Sequence, residues 1–163
     1  MKSIVVYFSR DGKNVAISGK SKTQLLAEKI QDYTNSDIYR IVPVEPYSQD
    51  DAECDRRAKE ESQTNAKPAI SGAIPSLEEY ELIYLGFPNW YRSFPRIIGT
   101  FLDSVDLKGK VVKPFCTNEE GGFGIGELEL RGRAKGATLK NGFSSRGSDV
   151  DTCDERLKAW LNK

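Results

Sequence analysis

The chain has 163 residues, room for one domain whose hydrophobic core needs neither disulfide nor structural metal. Lys and Arg total 24, as do Asp and Glu, so the formal charge is zero and no overall field draws the protein to nucleic acid or an anionic membrane. Histidine is absent, which excludes Ser-His-Asp and Cys-His machinery and removes the commonest zinc ligand, while Cys54, Cys116 and Cys153 are widely spaced with no C-x-x-C, as unpaired thiols in a reducing compartment would be.

In chain order, residues 4–8 form the first apolar run, far too short for a signal peptide or a membrane span. The expectation is a soluble, cytoplasmic protein without nucleic-acid or membrane partners. Bounded by turn formers, this run reads as a strand buried on both faces, as do residues 38–42, 82–87 and 111–116. After the first run, Leu26, Ile30 and Tyr33 at i, i+4 and i+7 predict a helix packed on a sheet. Residues 50–66 are rich in charge with only Ala52, Cys54 and Ala58 to bury, which predicts a solvated helix with a thin contact face. Pro95 opens a further helix carrying Ile97, Ile98, Phe101 and Leu102. A weaker fifth strand falls near residues 137–139. The last helix begins at Ser148-x-x-Asp151, a capping-box pattern, and carries Cys153, Leu157, Trp160 and Leu161 on one face.

Strand alternating with helix predicts a single α/β domain over residues 1–163, an open parallel sheet with right-handed crossovers and helices on both faces. Ligands of such sheets gather outside the carboxyl ends of the strands, so the loops after Phe8, Phe87 and Cys116 carry the functional signal. In the first, Gly19-Lys20-Ser21 invites a triphosphate-loop reading. That motif needs glycine where Asn14 stands, and an acidic strand end where the chain has Pro88 or Thr117. A monophosphate cradle fits better, with Ser9 on one side and Ser21, Lys22 and Thr23 at a helix N-terminus on the other. A plain N-cap hydroxyl behind a loop accounts for the same residues. The second loop, Pro88-Asn89-Trp90-Tyr91-Arg92, sets two large aromatics either over a flat conjugated ligand or onto the protein body as anchors. The third, Thr117-Asn118-Glu119-Glu120-Gly121-Gly122-Phe123-Gly124, has glycines that permit close backbone approach to a ligand and equally a flexible connection.

Tyr7-Phe8-Ser9-Arg10, Gly86-Phe87-Pro88-Asn89-Trp90-Tyr91, and Pro114-Phe115-Cys116-Thr117 with Gly122-Phe123-Gly124 resemble, in that order, the flavodoxin family over nearly the whole chain. The resemblance implies a flavodoxin-like three-layer α/β/α sandwich of the short-chain form, with a five-stranded parallel sheet in the order 2-1-3-4-5. It implies FMN as cofactor, with Ser9, Arg10, Lys22 and Thr23 holding the phosphate and Ser21 standing where the family often has glycine. Pro88, Asn89, Trp90 and Tyr91 would line the isoalloxazine ring, and Thr117, Asn118, Gly122 and Phe123 would close its other side. No catalytic residue and no metal ligand is implied. The chain departs from the family at residues 11–19, which separate the two ends of a normally compact phosphate loop, and at Tyr91, which replaces a second tryptophan. Receiver domains share the strand order but need an acidic pair after the first strand, where only Asp11 stands.

The function so implied is electron transfer through bound flavin, to a redox partner protein or a small-molecule electron acceptor. An NAD(P)H-dependent oxidoreductase with a quinone-type acceptor and a flavin-binding module without redox turnover are the alternatives. The balanced charge weighs against a dedicated acidic carrier, although residues 50–61 and Glu119-Glu120 offer a local acidic face. No separate nicotinamide motif is visible, since G-x-G-x-x-G is absent.

Overall fold

The computed structural model describes residues 2–10, 20–119 and 121–163. Strands β1 (Ser3–Phe8), β2 (Asp37–Ile41), β3 (Leu82–Pro88) and β4 (Val111–Asn118) alternate with helices α1 (Lys22–Thr34), α2 (Asp51–Thr64) and α3 (Arg96–Asp103). They pair in parallel in the order β2-β1-β3-β4, and β5 (Thr138–Leu139) extends the sheet beside β4. The expected order 2-1-3-4-5 and the layered α/β architecture are therefore present. Helix α4 (Gly126–Arg133) precedes β5, and the chain closes with β6 (Phe143–Arg146), a 3-10 helix (Gly147–Thr152) and α5 (Asp154–Leu161).

Alternation along β1 feeds both faces of the sheet. Ile4, Val6 and Phe8 join a core with Cys54 of α2, Ile97, Ile98, Phe101 and Leu102 of α3, and Leu130 of α4. Val5 and Tyr7 join the opposite core, with Leu26, Ala27 and Ile30 of α1 and Leu157 and Trp160 of α5. Each large apolar side chain removed from water in these layers contributes about 1.5–3 kcal/mol. Gly86 lets the layers close up, because a Cβ there would lie 2.0 Å from the Phe115 ring.

Several expected boundaries shift for identifiable reasons. β2 is not buried on both faces: among the described residues it is an edge strand paired only with β1, and Ile38 and Val42 are exposed. The fifth strand position is split, with β5 beside the start of β4 and β6 beside its end. Residues 140–142 interrupt it where a Cβ on Gly142 would meet the Phe123 ring at 2.5 Å. Ser148 lies within the 3-10 helix, and α5 is preceded by Cys153 as its N-cap, so the capping-box start is displaced. Tyr33 is on the outside of α1, where its hydroxyl donates to Asp154, and Ala52 is exposed, leaving Cys54 and Ala58 as the buried face of α2.

Cys54, Cys116 and Cys153 are free and buried. Among the described residues, no helix is long and apolar enough to cross a membrane, and no group of three or more His, Cys, Asp or Glu is placed to hold a metal ion.

Candidate functional site

The carboxyl ends of β1, β3 and β4 and the N-terminus of α1 meet at one edge of the sheet. The register sets this, since Phe87 lies beside Cys116 and Pro88 beside Thr117. Ser9, Arg10, Ser21, Lys22, Thr23, Pro88, Asn89, Trp90, Thr117 and Asn118 line a single cleft there. Glu119 and Gly147 complete its wall. Residues 11–19 fall outside the described residues, as does Glu120.

One end of the cleft is built from hydroxyls and a helix start. Ser21 is the N-cap of α1, yet its hydroxyl makes no capping bond and pairs with Ser9 Oγ. The first-turn N–H groups of α1 have no intrahelical partner, and the aligned peptide dipoles place partial positive charge beside them. Thr23 Oγ1 lies 2.7 Å from Thr117 Oγ1, tying the helix start to the end of β4. Both threonines and both serines are buried. The side chain of Lys22 lies along Gly147, where a Cβ would meet Lys22 Cδ at 2.6 Å. Arg10 turns its guanidinium toward the start of α2, donating to Asp51 Oδ1 at 3.1 Å and to the Ser48 carbonyl at 2.7 Å. Its Nε is buried and has no hydrogen-bond partner among the described residues.

The other end is a tight turn. Trp90 N donates to Ser93 O at 2.9 Å and Ser93 N donates to Trp90 O at 3.2 Å, a two-residue hairpin with Tyr91 and Arg92 at its tip. Both tip residues are left-handed, at φ 54 and φ 66, a conformation costing about 1–2 kcal/mol for a residue with a Cβ. Such turns ordinarily use Asn or Gly at these two places. Trp90 packs edge-on against Phe8 at 5.4 Å and Tyr47 at 4.9 Å between ring centroids. The Tyr91 hydroxyl donates to Asp55 of α2, and that bond pushes the phenol up to about 12.

Arg96, buried at the start of α3, clamps the turn. It donates to Ser93 Oγ at 3.1 Å, Phe94 O at 2.9 Å and Glu129 Oε2 of α4 at 3.1 Å. Burial works against the Glu129 carboxylate, but hydrogen bonds from Ser93 and Arg96 hold it below the usual carboxylate range. From the other side, Ile125 N donates to Arg92 O at 2.6 Å, and a Cβ on Gly124 would lie 2.2 Å from that oxygen. Gly124 has φ +57, so the position demands glycine on both counts.

Of the residues singled out in the sequence, three lie apart from the main cleft. Tyr91 lines an adjoining cavity of about 570 Å³, together with Arg10, Asn89, Trp90 and four residues of α2: Asp51, Cys54, Asp55 and Ala58. Gly122 offers its carbonyl to Asn89 Nδ2 at 2.7 Å. Phe123 is buried against Phe87, with ring centroids 6.0 Å apart. The α2 residues carried only a faint sequence signal, the pair Cys54 and Ala58 one turn apart on a charged helix. Burial raises the Cys54 thiol above its ordinary range.

Residues 2–163 match a family model described as Flavodoxin. The chain belongs to the flavodoxin family. Among solved structures, a candidate flavoprotein from Bacteroides uniformis is 31% identical, with 99% of this chain and 98% of that one covered at a TM-score of 0.82. A candidate flavoprotein from Bacteroides eggerthii is 29% identical, covering 99% and 96% at a TM-score of 0.82. A flavoprotein from Lactobacillus acidophilus, solved in complex with FMN, shares the fold at 21% identity, covering 98% of each chain at a TM-score of 0.74. No curated protein matches the chain in sequence.

Proposed function

We propose that this flavodoxin-family protein binds FMN and transfers electrons through it. The observation that carries the reading is the uncapped start of α1, ringed by Ser9, Ser21, Thr23 and Thr117 and lying beside the Trp90–Ser93 hairpin. First-turn N–H groups that no carbonyl of the helix reaches, buried hydroxyls, and an Arg10 Nε without a partner among the described residues all favour an anion of phosphate size. Trp90, held rigid by Phe8 and Tyr47, offers an aromatic surface beside it. The likeness to a fold seen with FMN in another flavoprotein supports the same cofactor.

In this reading Ser9, Ser21, Lys22, Thr23 and Thr117 hold the phosphate, and Asn89, Trp90 and Tyr91 meet the flavin. FMN supplies the redox chemistry, and the chain supplies orientation, charge and access. The partner is a redox protein or a small-molecule acceptor. A protein partner is favoured by the exposed side chains of Tyr91 and Ile125 at the hairpin, since Ile125 is bonded to its tip.

The test is titration of the purified protein with FMN and with riboflavin, followed by anaerobic reduction. We expect FMN to bind with a micromolar or lower dissociation constant and more tightly than riboflavin. Failure to bind FMN would sink the proposal. Electron uptake in two separated one-electron steps favours the carrier, whereas rapid NAD(P)H oxidation with a quinone favours the oxidoreductase.

A further inference from the structure

Trp90 leans on Tyr47, and Tyr47 is itself held by α2. The Tyr47 ring is buried in the connection between β2 and α2, edge-on to Trp90 at 4.9 Å between centroids and to Phe8 at 5.7 Å. Its hydroxyl donates to Glu61 Oε1, and the other oxygen of that carboxylate accepts from Arg57 Nε at 3.0 Å. Arg57 holds the same segment in two further ways. Its guanidinium lies 3.8 Å from the Tyr47 ring centroid, and its Nη1 donates to the carbonyls of Glu45 at 2.8 Å and Pro46 at 3.2 Å, the two residues before the tyrosine. Burial and the bond to Glu61 push the phenol well above its ordinary range, so Tyr47 stays a neutral donor.

We propose that Glu61 and Arg57 are positioning residues for Trp90, acting through Tyr47, so that the indole is aligned from α2. This role rests on the FMN reading, in which Trp90 meets the flavin, and deepens it by naming what fixes that side chain. The same helix supplies the contrast that carries the assignment. Arg56 and Glu60 also pair at i,i+4, but their side chains stand in water at 60% and 66% exposure, as a pair that serves only its helix does. Arg57 and Glu61 are 18% and 13% exposed. Charges so far removed from water lose more in desolvation than their attraction returns unless further hydrogen bonds satisfy them. Here those bonds all go to residues 45–47, from the Tyr47 hydroxyl to Glu61 and from Arg57 to the two carbonyls before it. The pair therefore spends its bonding on the segment that braces Trp90.

The deciding experiment labels the protein with 5-fluorotryptophan, whose fluorine spectrum reports Trp90 and Trp160 separately once Trp90→Phe has assigned them. Trp160 lies in the opposite core and serves as the reference. Glu61→Ala is compared with Glu60→Ala, because alanine suits a helix and each variant removes one i,i+4 pair. We expect the Trp90 resonance to shift and broaden in Glu61→Ala and to keep its wild-type place in Glu60→Ala, with Trp160 unmoved in both. Affinity for FMN and riboflavin should fall together in Glu61→Ala, by about threefold to tenfold, the worth of one edge-on aromatic contact, and stay at the wild-type value in Glu60→Ala. An unmoved Trp90 resonance in Glu61→Ala, equal movement in both variants, or wild-type flavin affinity in Glu61→Ala would overturn the positioning role. A wild-type protein that binds neither flavin removes the FMN reading instead, and the resonance alone then decides whether Glu61 aligns Trp90. Should Glu61→Ala fail to fold by circular dichroism, Tyr47→Phe decides, since it keeps the ring and strips its bond to Glu61: a displaced Trp90 resonance is expected, and an unmoved one overturns the proposal.

Discussion

The two ends of the candidate site are built on different principles. At the α1 end, Ser9, Ser21, Thr23 and Thr117 sit at the termini of β1, α1 and β4, so the strand register places them. At the hairpin, Tyr91 and Arg92 hold left-handed backbone that favours glycine, and the strain persists only because distant residues over-determine it. Arg96 grips the turn from α3, Glu129 grips Arg96 from α4, Gly124 makes room for Arg92, and Asp55 holds Tyr91 from α2. An end built from regular elements persists as long as the sheet does, whereas the strained end can be loosened by itself.

The sharpest way to break this comparison is Gly124→Ala, which puts a Cβ 2.2 Å from Arg92 O at a position with φ +57. The combined overlap and strain are expected to cost about 3 kcal/mol by urea unfolding. Affinity for riboflavin should fall with affinity for FMN, because the hairpin and not the phosphate end has moved. Arg96→Met is next. It leaves Ser93 Oγ and Phe94 O without their donor and strands Glu129, whose side chain is 31% exposed. Partial exposure softens the usual cost of breaking a buried pair to about 2 kcal/mol. The near-ultraviolet dichroism of Trp90 should change in this variant and stay unchanged in Thr23→Val.

Thr23→Val tests the other end. It orphans the Thr117 hydroxyl at a cost of about 1 kcal/mol and should lower FMN affinity while sparing riboflavin. The smallest effect is on titration. The phenol of Tyr91 is pushed up to about 12 by Asp55, so the folded state favours the neutral form. The stabilisation from this tether is full below the ordinary tyrosine value of about 10 and is lost as pH rises through the folded one. Asp55→Asn should bring the phenolate transition, read by ultraviolet absorbance, back toward about 10. A transition unmoved by that substitution would show that the tether does not hold Tyr91 in solution.

Much of the fold was legible because its elements are strongly periodic. Residues 4–8 and 82–87 announced central strands by continuous apolar character, residues 111–116 did so despite Lys113, and Ile97, Ile98, Phe101 and Leu102 announced α3; all of the latter are buried. β6 was missed because Ser144 and Ser145 read as loop, although Ser145 is buried. In sequence β2 reads as buried on both faces because Ile38 and Ile41 resemble core residues, and nothing local reveals that a strand lies at an edge. The hydroxyl cluster at the start of α1 was legible for a related reason, since hydroxyls at a strand end and a helix start are local features. The family resemblance implies that Phe123 closes the far side of the ring, and the structure packs its side chain on Phe87.

The sequence by itself determined the layered α/β architecture and the three loops that converge, because hydrophobic period and turn chemistry are written in neighbouring residues, and it indicated the strand order only through its resemblance to the flavodoxin family. Only the tertiary structure decided that Ser21 would pair with Ser9 instead of capping its helix, that two non-glycine residues would tolerate left-handed backbone, and that α2 would wall a cavity beside Trp90. Each of these depends on contacts between residues far apart in the chain, whose energies exceed local preference and leave no periodic trace in it.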